Sequence, residues 1–76
     1  MIDRKKLSNR IRNLRESRNL SINDLAKELN LSKATVGHWE TGLRLPSLEV
    51  TDALADYFDV STDYLLGRTD KRDILK

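Results

Sequence analysis

Ser21-Ile22-Asn23-Asp24-Leu25-Ala26-Lys27-Glu28-Leu29-Asn30-Leu31-Ser32-Lys33-Ala34-Thr35-Val36-Gly37-His38-Trp39-Glu40 is the most informative stretch of this chain. Leu25, Ala26 and Leu29 recur at helical spacing, and so do Val36 and Trp39. Only Asn30-Leu31-Ser32 separates the two runs, and Asn tolerates the left-handed backbone that such a tight turn needs. Each run is preceded by an apolar residue and a serine. Leu20-Ser21 leads to Leu25, and Leu31-Ser32 leads to Val36. That is the pattern of an N-cap with a hydrophobic staple. The spacing predicts helices over 22–29 and 33–40, crossing at a large angle because the turn between them is short.

The same device recurs on both sides. Ile2-Asp3 leads to Leu7, and Val60-Ser61 leads to Leu65. These predict helices over 4–18 and 62–66. Leu7, Ile11 and Leu14 face inward on the first of them. Ser47, after Pro46, predicts a cap for a helix over 48–58 whose inward residues are Leu48, Leu54, Ala55 and Phe58. Its staple is missing, because Thr51 stands where an apolar residue would. Gly42 and Gly67 read as helix stops. Residues 1–67 therefore form one domain, and 68–76 a charged tail or the start of a linker.

Composition narrows the chemistry. The 76 residues include 14 Lys+Arg, 12 Asp+Glu, one His, no Cys, three Gly and one Pro. Without Cys there is no disulfide framework, thiolate nucleophile or Cys-ligated metal, and one His builds no metal cluster of the usual kind. A chain this short has a small core and little room for a substrate pocket. Asp24 with Glu28, and Asp52 with Asp56, sit one helical turn apart, but they read as solvated faces rather than acid–base pairs. No Ser-His-Asp arrangement or phosphate-cradling glycine loop is present, so an enzyme is not expected. No apolar run is long enough to span a membrane, and Met1-Ile2-Asp3-Arg4 lacks the character of a signal peptide. A cytoplasmic protein without cofactor or metal is expected. The net charge of +2 hides a gradient. Arg4, Lys5, Lys6, Arg10, Arg12, Arg15 and Arg18 fall within residues 4–18 beside one acid, Glu16. Glu49, Asp52, Asp56, Asp59 and Asp63 fall within 49–63 with no Lys or Arg.

Two short helices joined by so short a turn are a helix-turn-helix signature, here over residues 22–40. Reading DNA asks the second helix to be short, to present small or polar residues at its start, and to be flanked by phosphate-holding groups. With Val36 and Trp39 inward, Lys33, Ala34, Gly37 and His38 are left outside. At this point the chain resembles the Cro/C1-type (XRE, phage-repressor-like) helix-turn-helix family. The resemblance runs over residues 7–67. It is carried by Leu14-Arg15-Glu16-Ser17-Arg18-Asn19-Leu20-Ser21, by residues 25–32, by Thr35-Val36 to Trp39-Glu40-Thr41-Gly42 with Pro46-Ser47-Leu48, and by residues 54–67.

The resemblance implies an all-α, five-helix bundle of the lambda-repressor-like DNA-binding type. It implies sequence-specific binding of double-stranded DNA by a transcriptional regulator, most simply a repressor working as a homodimer on a palindromic operator. Ser32, Lys33 and Ala34 match the start of the recognition helix, and Gly37 and His38 its other groove-facing positions. Base contacts are expected from Lys33, Ala34, Gly37 and His38. Phosphate contacts are expected from Arg10, Ser21, Ser32, Thr35 and Arg44. Arg15 and Glu40 match a structural ion pair, and Tyr57, Tyr64 and Leu66 a dimer interface.

Individual residues leave alternatives open. Lys33 can donate to guanine or meet a phosphate, and Ala34 can touch a thymine methyl or serve as a spacer. Two positions depart from the family. Ile22 stands where Gln often holds a phosphate, so that bond is lost or replaced by helix N-terminal amides, or Ile22 meets an apolar partner. Gly37 stands where a larger polar residue is common, which suits either close approach of the helix or a neutral solvent position. Two alternatives to the DNA-binding regulator stand beside it. One is an antitoxin-like or other protein-binding module on the same fold, using Ile22 and the acidic end. The other is the N-terminal DNA-binding half of a longer repressor, with Ile74-Leu75 opening a further segment.

Overall fold

Each helix of this chain starts on a side-chain oxygen. A computed structural model describes residues 2–72, and within them five α-helices and no strand. They are α1 (Arg4–Ser17), α2 (Ile22–Glu28), α3 (Lys33–Thr41), α4 (Leu48–Phe58) and α5 (Thr62–Leu65). Asp3, Ser21, Ser32, Ser47 and Ser61 all hold extended backbone, and each accepts a hydrogen bond from the amide three residues on.

The helix ends share a second device that sequence reasoning saw at only one joint. Asn19, Asn30 and Asp59 hold left-handed backbone, with φ near 57°, 56° and 56°. After each comes an apolar residue whose amide reaches back to a helix carbonyl. Leu20 bonds Arg15, Leu31 bonds Ala26 and Val60 bonds Ala55, at 3.2, 2.8 and 2.9 Å. This closes each helix with a Schellman motif. The next residue is the serine that caps the following helix. Asn19-Leu20-Ser21, Asn30-Leu31-Ser32 and Asp59-Val60-Ser61 are therefore one joint used three times, with the middle residue closing one helix and stapling the next. Asp and Asn replace glycine here because their short polar side chains tolerate this backbone.

Leu7, Ile11, Leu14, Leu25, Ala26, Val36, Trp39, Leu54, Ala55, Phe58, Val60 and Leu65 form the core. The α3 helix packs on α2 and α1, and α5 packs on α4 and α1. Two expectations need correction, those on Leu48 and Ile2. Leu48 is 85% exposed, because it begins α4 where no neighbouring element covers it. Thr51 is buried instead, its hydroxyl donating to the Ser47 carbonyl at 2.8 Å, so a polar residue fills the staple position without an unmet bond. Ile2 is 47% exposed, which leaves the staple on α1 largely open. Residues 68–72 also lie against the body rather than leaving it at Gly67, since the Arg68 amide bonds the Asp63 carbonyl and the Ser61 amide bonds the Arg72 carbonyl, both at 2.9 Å. Ile74 and Leu75 lie outside the described residues.

Candidate nucleic-acid interface

The α3 helix is nine residues long, about 13.5 Å at 1.5 Å per residue, so it is comparable to the width of a DNA major groove. Its inner side is fixed. Val36 and Trp39 are in the core, and the Glu40 carboxylate is 3% exposed. Arg15 meets that carboxylate through two hydrogen bonds, of 2.6 and 3.0 Å, and donates a third to the Leu20 carbonyl at 2.6 Å. Bonding to Glu40 holds the Arg15 guanidinium above its already high pKa, against the lowering effect of burial. Arg12 approaches the same carboxylate at 3.5 Å and donates to the Glu40 backbone carbonyl at 3.1 Å. The end of α3 is thus bolted to α1 by two guanidinium groups.

The outer side is different. Ser32, Lys33 and Ala34 are exposed. Ser32 Oγ accepts the Thr35 amide at 3.1 Å and lies 2.7 Å from Thr35 Oγ1, which places two hydroxyls side by side at the helix start. No acid occupies this first turn. Among the described residues, Lys33, the His38 ring and the Arg44 side chain have no hydrogen-bond or ion-pair partner. A Cβ built on Gly37 would meet nothing within 4 Å, so no packing contact within the chain excludes a side chain there. His38, Trp39, Arg44, Leu45 and Pro46 line a hollow of about 230 Å³ between α3 and the loop that follows it. That loop is turned away from α3 by Gly42, in left-handed backbone, and tied back by a bond from the Arg44 amide to the His38 carbonyl at 3.2 Å.

Not all of the expected residues gather here. Arg10 is engaged elsewhere, donating to the carbonyls of Tyr64 and Thr69 and pairing with Asp70, with its side chain 13% exposed. It is therefore withdrawn from the phosphate-contacting set. Ser21 caps α2 in a reciprocal box, with the Asp24 carboxylate folded back onto the Ser21 amide at 2.9 Å. That places a negative charge beside the exposed Ser21 hydroxyl, which disfavours a phosphate there. Ile22 is half-buried and packs against the core. Tyr57 and Tyr64 are half-buried beneath arginines, with Arg18 at 5.2 Å from the first ring and Arg10 at 4.1 Å from the second, while Leu66 is half-buried after α5.

The arginines of α1 and its C-terminal cap show what sequence reasoning missed. Arg10 bonds the end of α5, Arg12 the end of α3, and Arg18 the end of α4 through the Tyr57 carbonyl at 2.7 Å. Each brings donors to the carbonyl end of a helix, where the dipole is negative. Four arginines of the basic front end thus serve as internal scaffolding, while Arg4, Lys5 and Lys6 stay exposed.

The helix-turn-helix family model matches residues 11–65 of this chain. The chain belongs to the Cro/C1-type helix-turn-helix family. Its five helices are the lambda-repressor-like arrangement of that family. It is 44% identical over 59 residues to the HTH-type transcriptional regulator AnsR of Bacillus subtilis, covering 78% of this chain and 51% of that protein. It is 38% identical over 64 residues to YobD, an uncharacterized HTH-type transcriptional regulator of the same organism, covering 84% of this chain and 57% of that one. It is 31% identical over 58 residues to the HTH-type transcriptional activator BcrR of Enterococcus faecalis, covering 76% and 28%. The chain spans about half the length of the first two relatives and about a quarter of the third. None of its described helices is long and apolar enough to cross a membrane.

Proposed function

We propose that this chain binds double-stranded DNA as a transcriptional regulator, with the start of α3 in the major groove. One observation carries the proposal. Ser32, Lys33, Ala34, Gly37 and His38 stand on the outer side of a helix whose inner side is fixed by Arg15 and Arg12. A rigid helix with an acid-free start and a lysine in its first turn suits a polyanion with readable base edges. In this reading Lys33 donates to guanine O6 and N7, Ala34 packs on a thymine methyl, and His38 reaches a base near the end of the contact. Ser32 and Thr35 hold one phosphate through their paired hydroxyls. Arg44, exposed in the loop, meets another.

Two copies bind a palindromic operator, with half-sites about 34–36 Å apart. They meet through the α4–α5 side, where Tyr57, Tyr64 and Leu66 lie. Occupying a promoter then excludes polymerase, so repression requires no chemistry from the protein. Selection of bound sequences from a random duplex library tests the proposal directly. One enriched inverted repeat is expected. Lys33→Ala should relax the preference at one position of each half-site, whereas Arg44→Ala should weaken all sequences alike and lower the salt slope by about one. No enriched sequence, together with no binding at low salt, would overturn it. Leu43 and Leu45, 66% and 38% exposed on either side of Arg44, favour a protein-contacting use of the same loop as a second reading. Association insensitive to salt would support that second reading, because counterion release from DNA is steeply salt-dependent.

A further inference from the structure

The segment after α5 is held by one face of α1. Gly67 has a φ of 79° and closes α5, with its own amide on the Tyr64 carbonyl and the Arg68 amide on that of Asp63. It also lies against the start of α1. A Cβ there would sit 3.0 Å from Lys6 Cβ and 3.1 Å from Asp3 Cβ, tighter than most such contacts, so the neighbours would have to give. Beside it the Asp3 amide donates to the Leu66 carbonyl at 3.3 Å. One turn beyond Lys6 on the same face comes Arg10. Its guanidinium donates to the carbonyls of Tyr64 and, at 2.6 Å, Thr69, and bonds the Asp70 carboxylate at 2.6 Å. It also stacks 4.1 Å from the centre of the Tyr64 ring. Arg72 completes the wrap, its carbonyl accepting the Ser61 amide at 2.9 Å and its guanidinium lying 5.5 Å from the same ring.

We propose that Arg10 is a clasp that fixes residues 68–72 across α1 and α5 and so sets the direction in which the chain leaves the body. The carbonyl bonds do most of the holding. Arg10 is 13% exposed, whereas Asp70 is 87% exposed, and an ion pair open to water on one side contributes little. The fork of the guanidinium is the essential chemistry, because one side chain must reach two carbonyls and a carboxylate at once. The α1 helix also holds α3 through Arg12 and Arg15. The path of residues 68–72 and the outer face of α3 are therefore referenced to the same rigid helix.

Amide hydrogen exchange at Ser61 and trypsin cleavage after Lys71, on the 76-residue chain, test this. In the unaltered protein the Ser61 amide should exchange at least about tenfold more slowly than in an unstructured peptide, and cleavage after Lys71 should be slow. Arg10→Met should erase both protections while the Leu54 amide keeps its own. Asp70→Asn should change either rate by less than about twofold. Free exchange at Ser61 in the unaltered protein would overturn the clasp, as would Arg10→Met leaving Ser61 and Lys71 unaffected. Should Arg10→Met also lose protection at Leu54, Arg10→Lys decides, since it keeps the charge without the fork. Faster exchange confined to Ser61 upholds the clasp, and no change there rejects it.

Discussion

Two groups of basic side chains look alike in sequence and behave oppositely in the fold. Arg10, Arg12 and Arg15 of α1, and Arg18 at its C-terminal cap, turn toward the ends of other helices and give donors to carbonyls and to Glu40. Lys33, His38 and Arg44, on α3 and its exit loop, carry no such bonds among the described residues. A guanidinium that spends its donors within the chain, as Arg10 and Arg15 do, has less left to offer a phosphate. The difference separates a scaffold from a working surface, and it divides the expected effects of substitution into stability on one side and binding on the other.

The largest effect belongs to the scaffold. Arg15→Ala leaves the Glu40 carboxylate buried with only Arg12, at 3.5 Å, for company. Loss of one partner from a buried pair costs about 3 kcal/mol, and thermal or urea unfolding should show it. Lys33→Ala comes next and falls on the other side. Binding to the selected operator should weaken by about 1–2 kcal/mol while the unfolding midpoint stays put. A Lys33→Ala protein that unfolds early would mean that Lys33 belongs with the scaffold.

Gly37→Ala tests the space between the two groups. Alanine in a helix interior is worth about 1 kcal/mol over glycine, and the site has room for it, so stability should rise by that amount. If affinity for DNA falls at the same time, the bare backbone at Gly37 lies close to the groove. If affinity is unchanged, the position faces solvent.

The smallest effect concerns α2. The Ser21 amide, and then the Ser21 hydroxyl, hold the Asp24 carboxyl below the usual carboxylate range. A group whose pKa is lower in the folded state favours folding when ionised. Its contribution is therefore complete above the ordinary carboxylate range and fades as pH falls through the lowered value. An NMR titration of Asp24 should show the low midpoint, and Asn at this position should flatten the acid limb of the stability profile slightly.

Much of the fold is legible in the sequence. The serine caps and their apolar neighbours place every helix boundary within one residue, because those signals are local and written in side chains. The register of α4 was harder. Leu48 keeps helical step with Thr51, Ala55 and Phe58, yet a helical phase says nothing about where the core stops, and the first turn of α4 overhangs it. The outer residues of α3 follow from the inward placement of Val36 and Trp39. The role of Arg10 was out of reach, because its main partners are backbone carbonyls 54 and 59 residues away. Every residue type has a carbonyl, so no composition or spacing could have flagged these two. The same holds for Arg12 and Arg18, whose partners include the Glu40 and Tyr57 carbonyls.

The three repeated joints also bear on how the chain assembles itself. The bond from Leu31 to Ala26 closes a loop of a few residues, as do those from Leu20 and Val60. Such loops are cheap in chain entropy and close on short timescales, before distant parts of the polypeptide have met. At these three joints, where one helix stops and the next begins is thus set by local bonds. The contacts of Arg10 with Thr69 and Asp70 span nearly the whole described chain and must wait for the body to exist. In the order of assembly, the path of residues 68–72 is among the last things to be fixed.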